Sequence, residues 1–81
     1  MLRQEAAIRL TEIMRNIFDD EDVEYRDDLV ADDVEGWDSL SHVRFMVEVE
    51  NKFGFRFTSS EMDSFKNAGE LLDVIVRRAT I

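Results

Sequence analysis

Asp38-Ser39-Leu40-Ser41-His42-Val43-Arg44-Phe45-Met46-Val47-Glu48-Val49-Glu50-Asn51-Lys52-Phe53-Gly54 reads as one helix with both ends marked. Asp38 is a strong N-cap. Its carboxylate can accept from the free N–H groups of the first turn, where negative charge also suits the helix dipole. Leu40, Val43, Met46, Val47, Glu50 and Phe53 mark the course of the helix, and Phe45 and Val49 broaden its apolar face. Leu40 is expected to turn into the core and hold the helix start. Gly54 can end the helix in the left-handed conformation. The helix therefore starts at Asp38 or Ser39, which puts the Ser39 hydroxyl at its mouth, pointing away from the core.

Upstream, Leu2, Ala6, Leu10, Ile13 and Ile17 recur at helical spacing, with Met14 and Phe18 widening the stripe. The pattern predicts an amphipathic helix from about residue 3 to 18, with Arg3, Arg9, Glu12 and Arg15 outside. Residues 19–38 then form a connection far longer than the usual helix–helix link of about two to eight residues. Val23, Leu29, Val34 and Trp37 are spaced through it as apolar anchors, so it should pack over the helices, with a helical turn near Leu29. Trp37 is expected to pack over the end of the bundle.

Downstream, Phe55-Arg56-Phe57 alternates like a strand but has no second strand to pair with, and reads as an extended connector that buries two rings. Thr58-Ser59-Ser60-Glu61 is a capping box that opens a short helix to about Phe65. Asn67-Ala68-Gly69-Glu70 repeats the capping logic before a last helix carrying Leu71, Leu72, Ile75, Val76 and Ala79. Arg77 and Arg78 sit in its final turn, where positive charge suits the dipole. With no proline to interrupt it, the chain is predicted to be all-α: a small four-helix bundle of three longer helices and one short third helix, with a long loop between the first two. Residues 1–81 make a single domain.

The composition excludes several functions. A formal net charge of −9 is wrong for nucleic acid, which needs a basic face, and for anionic lipid. The acidity is local: residues 19–38 hold 11 acids against one base, Arg26, so this segment sums to −10 and the rest to +1. Such a surface suits basic protein partners. There is no cysteine, hence no disulfide and no thiolate metal site. No stretch approaches a membrane span of about 20 apolar residues, and Met1-Leu2-Arg3-Gln4-Glu5 lacks the order of a signal peptide. A cytoplasmic monomer with no nucleic-acid or membrane role is expected.

The informative constellation is Ser39 at a helix mouth after a long acidic loop. A helix N-terminus offers N–H donors and partial positive charge, so a phosphate attached there is electrostatically favoured. Serine is also a common residue at helix starts for capping alone, and the physics does not choose between the two.

The wider pattern resembles a known family. Asp38-Ser39-Leu40 is similar to the phosphopantetheine attachment motif of acyl carrier proteins, and Gly36-Trp37-Asp38-Ser39-Leu40-Ser41-His42-Val43 resembles the variant of many discrete bacterial carriers. Glu48-Val49-Glu50-Asn51-Lys52-Phe53-Gly54-Phe55-Arg56-Phe57 resembles the family's acidic helix end and apolar connector. The resemblance implies a non-enzymatic carrier. A phosphopantetheinyl transferase would esterify Ser39 with a 4′-phosphopantetheine arm from coenzyme A, Asp38 and Leu40 flanking it. Acyl groups would ride as thioesters on the arm, presented to loading and processing enzymes through His42, Val43, Arg44, Val47, Glu48 and Glu50. Peptidyl carriers share this attachment chemistry, so aminoacyl cargo stays open. His42, Arg44 and Lys52 interrupt the strongly acidic face of housekeeping fatty-acid carriers, and a basic partner would meet Arg44 unfavourably. A specialised pathway is therefore expected.

Three rivals fit less well. Asp20-Glu21-Asp22-Val23-Glu24 opens like an EF-hand loop, but Tyr25 stands where the turn glycine belongs and Ala31 where the last glutamate belongs. No metal site is expected. Ser39 and His42 lie three apart on a helix, yet no Gly-x-Ser-x-Gly elbow surrounds the serine, and His42 is expected to be an exposed residue that tunes partner contacts. An unmodified acidic helical adaptor would keep the fold and leave Ser39 bare.

Overall fold

The computed structural model describes residues 1–80. It is all-helical, with no strand among those residues. Three long helices, α1 (Arg3–Ile17), α2 (Ser39–Phe53) and α4 (Ala68–Arg78), are joined by the long acidic loop and by a four-residue helix, α3 (Ser59–Met62). α1 packs against both α2 and α4. No helix of the described residues is long and apolar enough to cross a membrane.

The core forms where the apolar stripes meet. Ala6, Leu10, Ile13, Met14 and Phe18 of the α1 segment face Phe45, Met46, Val49 and Phe53 of α2 and Leu71, Leu72 and Ile75 of α4. Leu2, placed on the α1 stripe by its spacing, is instead 74% exposed. It lies at the N-cap, ahead of the first turn that packs. α1 ends where Asp19 takes the left-handed conformation, with φ 51°.

The loop behaves as a packed wall. Val23, Leu29 and Val34 are buried, and a 3₁₀ turn spans Ala31–Asp33, just past Leu29. It is pinned to the start of α4, whose first two N–H groups point outward for want of a preceding turn. Ala68 N–H donates to Leu29 O at 2.9 Å, and Gly69 N–H to Asp27 O at 2.8 Å. The approach is so close that a Cβ on Gly69 would stand 2.9 Å from Asp27 O and 3.0 Å from Asp27 Cβ. Gly69→Ala should therefore push the loop off α4. The expected cost is about 2 kcal/mol, a fall in Tm on the order of 10 °C for a domain of this size, read by thermal unfolding.

The capping signals act as written in the sequence, with one exception of length. Gly54 closes α2 at φ 73°, its N–H donating to Glu50 O at 2.9 Å. Thr58 and Glu61 form the reciprocal box, and Asn67 Oδ1 accepts from Glu70 N–H at 2.9 Å. α3 stops at Met62 rather than near Phe65, where the Ser64 N–H turns back onto Glu61 O at 3.1 Å and tightens the last turn. Ser64 Oγ donates to Glu61 O at 2.9 Å, and the Met62 carbonyl faces the His42 ring at 2.7 Å. Phe55 and Phe57 stack edge-to-face at 4.9 Å in the extended connector, under Arg78, which also forks onto Glu61 at 2.9 Å.

Candidate functional site

α2 begins at Ser39, and Ser39 is exposed. Its position is set by the residue before it. Asp38 Oδ1 accepts from Ser41 N–H at 2.8 Å, and Asp38 O accepts from His42 N–H at 2.8 Å. These bonds occupy two first-turn donors and make Ser39 the first helical residue. The Ser41 N–H, above all, holds the Asp38 carboxyl below its ordinary value of 3.8. A carboxylate stabilised in this way contributes to folding above its ordinary value and loses that contribution as pH falls through the folded one. Asp38→Asn keeps an oxygen acceptor at every pH, since Asn caps as well as Asp. The stability difference between wild type and Asp38→Asn should be flat above about pH 5 and should change only below about pH 4. Urea melts across that range measure it. Asp27 and Glu61 are also held low, but they titrate in both proteins and cancel.

Two expected placements are overturned. Leu40 does not enter the core; it is 76% exposed. His42 is not a solvent-facing residue; it is half-buried and hydrogen-bonded at both ring nitrogens. One rotation explains both. The core-facing side chains of α2 are Phe45, Met46, Val49 and Phe53. At about 3.6 residues per turn, that sector continues back through His42, while Leu40 falls almost opposite. Leu40, Val43 and Val47, at spacings of three and four, make a second apolar stripe on the outer face, with Val43 and Val47 53% and 44% exposed. The signal for His42 was present in the sequence: it precedes Phe45 by three and Met46 by four.

The remaining predicted surface residues divide. Arg44 is exposed beside the outer stripe. Glu48 is half-buried, with Lys52 Nζ 4.0 Å away one turn on. Glu50 is turned to the connector, where its Oε2 accepts from Phe57 N–H at 2.7 Å. The structure thus groups Leu40, Val43, Arg44 and Val47 on one exposed face near Ser39, and separates His42 and Glu50 from it.

Trp37 packs over the bundle end. It stacks on Phe18 at 4.8 Å and meets Phe45 edge-on at 5.3 Å. Its indole Nε1–H donates to His42 Nδ1 at 3.0 Å. An indole nitrogen can only donate, so Nδ1 is the unprotonated nitrogen and Nε2–H donates to the Met62 carbonyl. Two cavities adjoin here. An open cleft of about 430 Å³ holds Ser39 against Trp37, His42, Asp63 and Phe65. Behind Trp37 and His42 a mostly apolar one of about 270 Å³ runs among Leu29, Met46, Phe65 and Leu71. Among the described residues no cluster of side chains could hold a metal ion.

Ser39 therefore has an accessible hydroxyl at a helix start, with no base bonded to it and no metal ligands around it. An exposed hydroxyl in this position is within reach of another protein. A family model described as phosphopantetheine attachment site matches residues 8–75. Searches of curated proteins and of solved structures returned no match.

Proposed function

The chain belongs to the phosphopantetheine attachment family, whose members are non-catalytic and hold 4′-phosphopantetheine covalently on a serine, and from that premise we propose that Ser39 is the attachment residue of an acyl carrier. The observation that carries this reading is the exposed Ser39 hydroxyl at the first residue of a 15-residue helix. A phosphodiester at that point lies at the positive end of the helix dipole. The open cleft beside Ser39 leaves room for an arm, so the residues fit the group.

The attachment would be made by a transferase acting on coenzyme A. Ser39 Oγ bonds to the phosphorus bearing the pantetheine, the pyrophosphate bridge breaks, adenosine 3′,5′-bisphosphate leaves, and the serine proton is released. Once bound, the arm supplies a terminal thiol that holds acyl groups as thioesters, a function the cysteine-free chain cannot perform with its own side chains. The protein contributes position. A cargo tethered to a rigid helix start meets each partner at high effective concentration, and the mostly apolar cavity behind Trp37 lies beside the tether.

The outer stripe of Leu40, Val43 and Val47, flanked by Arg44, supports partners that read apolar contact more than acidic charge. That favours a specialised acyl pathway over the main fatty-acid route. The all-helical fold, with Ser39 at the start of α2, is compatible with a carrier of this family. Incubation with a broad-specificity phosphopantetheinyl transferase and coenzyme A should raise the intact mass by one arm, mapped by peptide fragmentation to Ser39. An unchanged mass would point instead to an unmodified helical adaptor.

A further inference from the structure

We propose that His42 is a positioning residue for modification of Ser39, acting through Trp37 as the far half of a hydrogen-bonded staple across the helix cap. The proposal rests on the reading of Ser39 as the attachment point. Many helices are braced at their start by an apolar pair, one residue before the N-cap and one at the fourth helical position. Trp37 immediately precedes the N-cap Asp38, and His42 is the fourth residue of α2. Here the pair carries a hydrogen bond as well, Trp37 Nε1–H to His42 Nδ1 at 3.0 Å.

Both ends of the staple are anchored. The indole is held by Phe18 and Phe45, and the far side of the imidazole is held by the Met62 carbonyl at 2.7 Å. Asp63 is the nearest carboxylate, 4.0 Å from Nε2. Asp38, Ser39, Leu40 and Ser41 are spanned by this bracket, with the Asp38–Ser41 bond nested inside it. Helix ends open more easily than helix centres, and a transferase needs the Ser39 oxygen in one geometry. The staple supplies that geometry without touching the hydroxyl.

The test uses the whole chain. His42→Ala should lower kcat for arm transfer to Ser39 about tenfold and leave KM within about twofold, because orientation rather than docking is lost. Trp37→Phe, which keeps an aromatic ring but no N–H, should do the same, and the double variant should be no slower than either single one. His42→Asn, whose Oδ1 can stand near the lost Nδ1, should restore most of the rate; His42→Gln, reaching only toward Met62, should not. Every variant is checked for helical circular dichroism at the assay temperature. Independently of loading, ring-nitrogen NMR of the wild type should show the tautomer protonated at Nε2. Amide exchange at Ser41, whose N–H is bonded to the Asp38 cap, should rise about tenfold in His42→Ala and Trp37→Phe. A folded His42→Ala with wild-type kcat, additive losses in the double variant, or the opposite tautomer would overturn the proposal. A wild-type chain that accepts no arm, with the exchange pattern intact, overturns the attachment reading and the positioning role with it. An arm accepted equally by all variants overturns the staple alone.

Discussion

Ser39→Ala should abolish arm addition entirely while leaving the fold in place. The hydroxyl is the only atom lost, it is exposed, and the cap of α2 is made by Asp38, not by Ser39. Surface substitutions away from caps and the core usually change stability by no more than about 0.5 kcal/mol, and alanine is the best helix former. Intact mass after transferase treatment should stay at that of the bare chain, with the urea midpoint unchanged. Ser41 and Ser59 are also near helix starts, so this variant separates them from Ser39. Residual modification of Ser39→Ala would move the site elsewhere. Ser39→Ala that is unmodified but unfolded would mean that Ser39 has a structural part the geometry does not reveal.

The second large effect is on stability. Phe45→Ala should cost about 3–5 kcal/mol, out of a total of about 4–12 kcal/mol for a domain of this length. Phe45 is fully buried and touches the two rings that brace the site, Phe18 at 5.3 Å and Trp37 at 5.3 Å. Its removal opens a cavity where α1, α2 and the long loop meet, and no neighbour of similar size is free to fill it. Phe45→Leu, which keeps most of the volume, should cost about 1 kcal/mol. Urea unfolding followed by Trp37 fluorescence reads both, since the indole lies against the altered position. An unchanged midpoint in Phe45→Ala would refute the packing described for the bundle end. A fluorescence change without a change in midpoint would show that Phe45 orders Trp37 but does not hold the core.

The acidic loop shows why charge and stability need separate treatment. Arg3 bridges Asp73 of α4 and Asp27 of the loop, and Arg26 pairs with Asp28 and Asp33. All these groups are largely exposed, where such pairs contribute little. What holds the loop are its buried Val23, Leu29 and Val34 and the backbone bonds to Ala68 and Gly69. Most of the loop's other carboxylates are left exposed to solvent.

Local signals in the sequence determined where α2, α3 and α4 begin and where α2 ends, though not where α3 ends. Asp38, Gly54, Thr58 with Glu61, and Asn67 act through atoms within a few residues of themselves, so their effect is legible without the fold. The Ser39 position at the mouth of α2 follows from the same local chemistry, and so does the extended Phe55-Arg56-Phe57 connector. Tertiary structure decided which side of α2 is buried. That helix carries apolar residues on two faces, Leu40, Val43 and Val47 on one and Phe45, Met46, Val49 and Phe53 on the other, and hydrophobicity does not rank them. Only the stripe of α1, the rings of Phe18 and Trp37, and the Met62 carbonyl choose the second face. In doing so they draw His42 inward and leave Leu40 in water, because burial depends on what stands opposite a side chain, and the chain order does not record that.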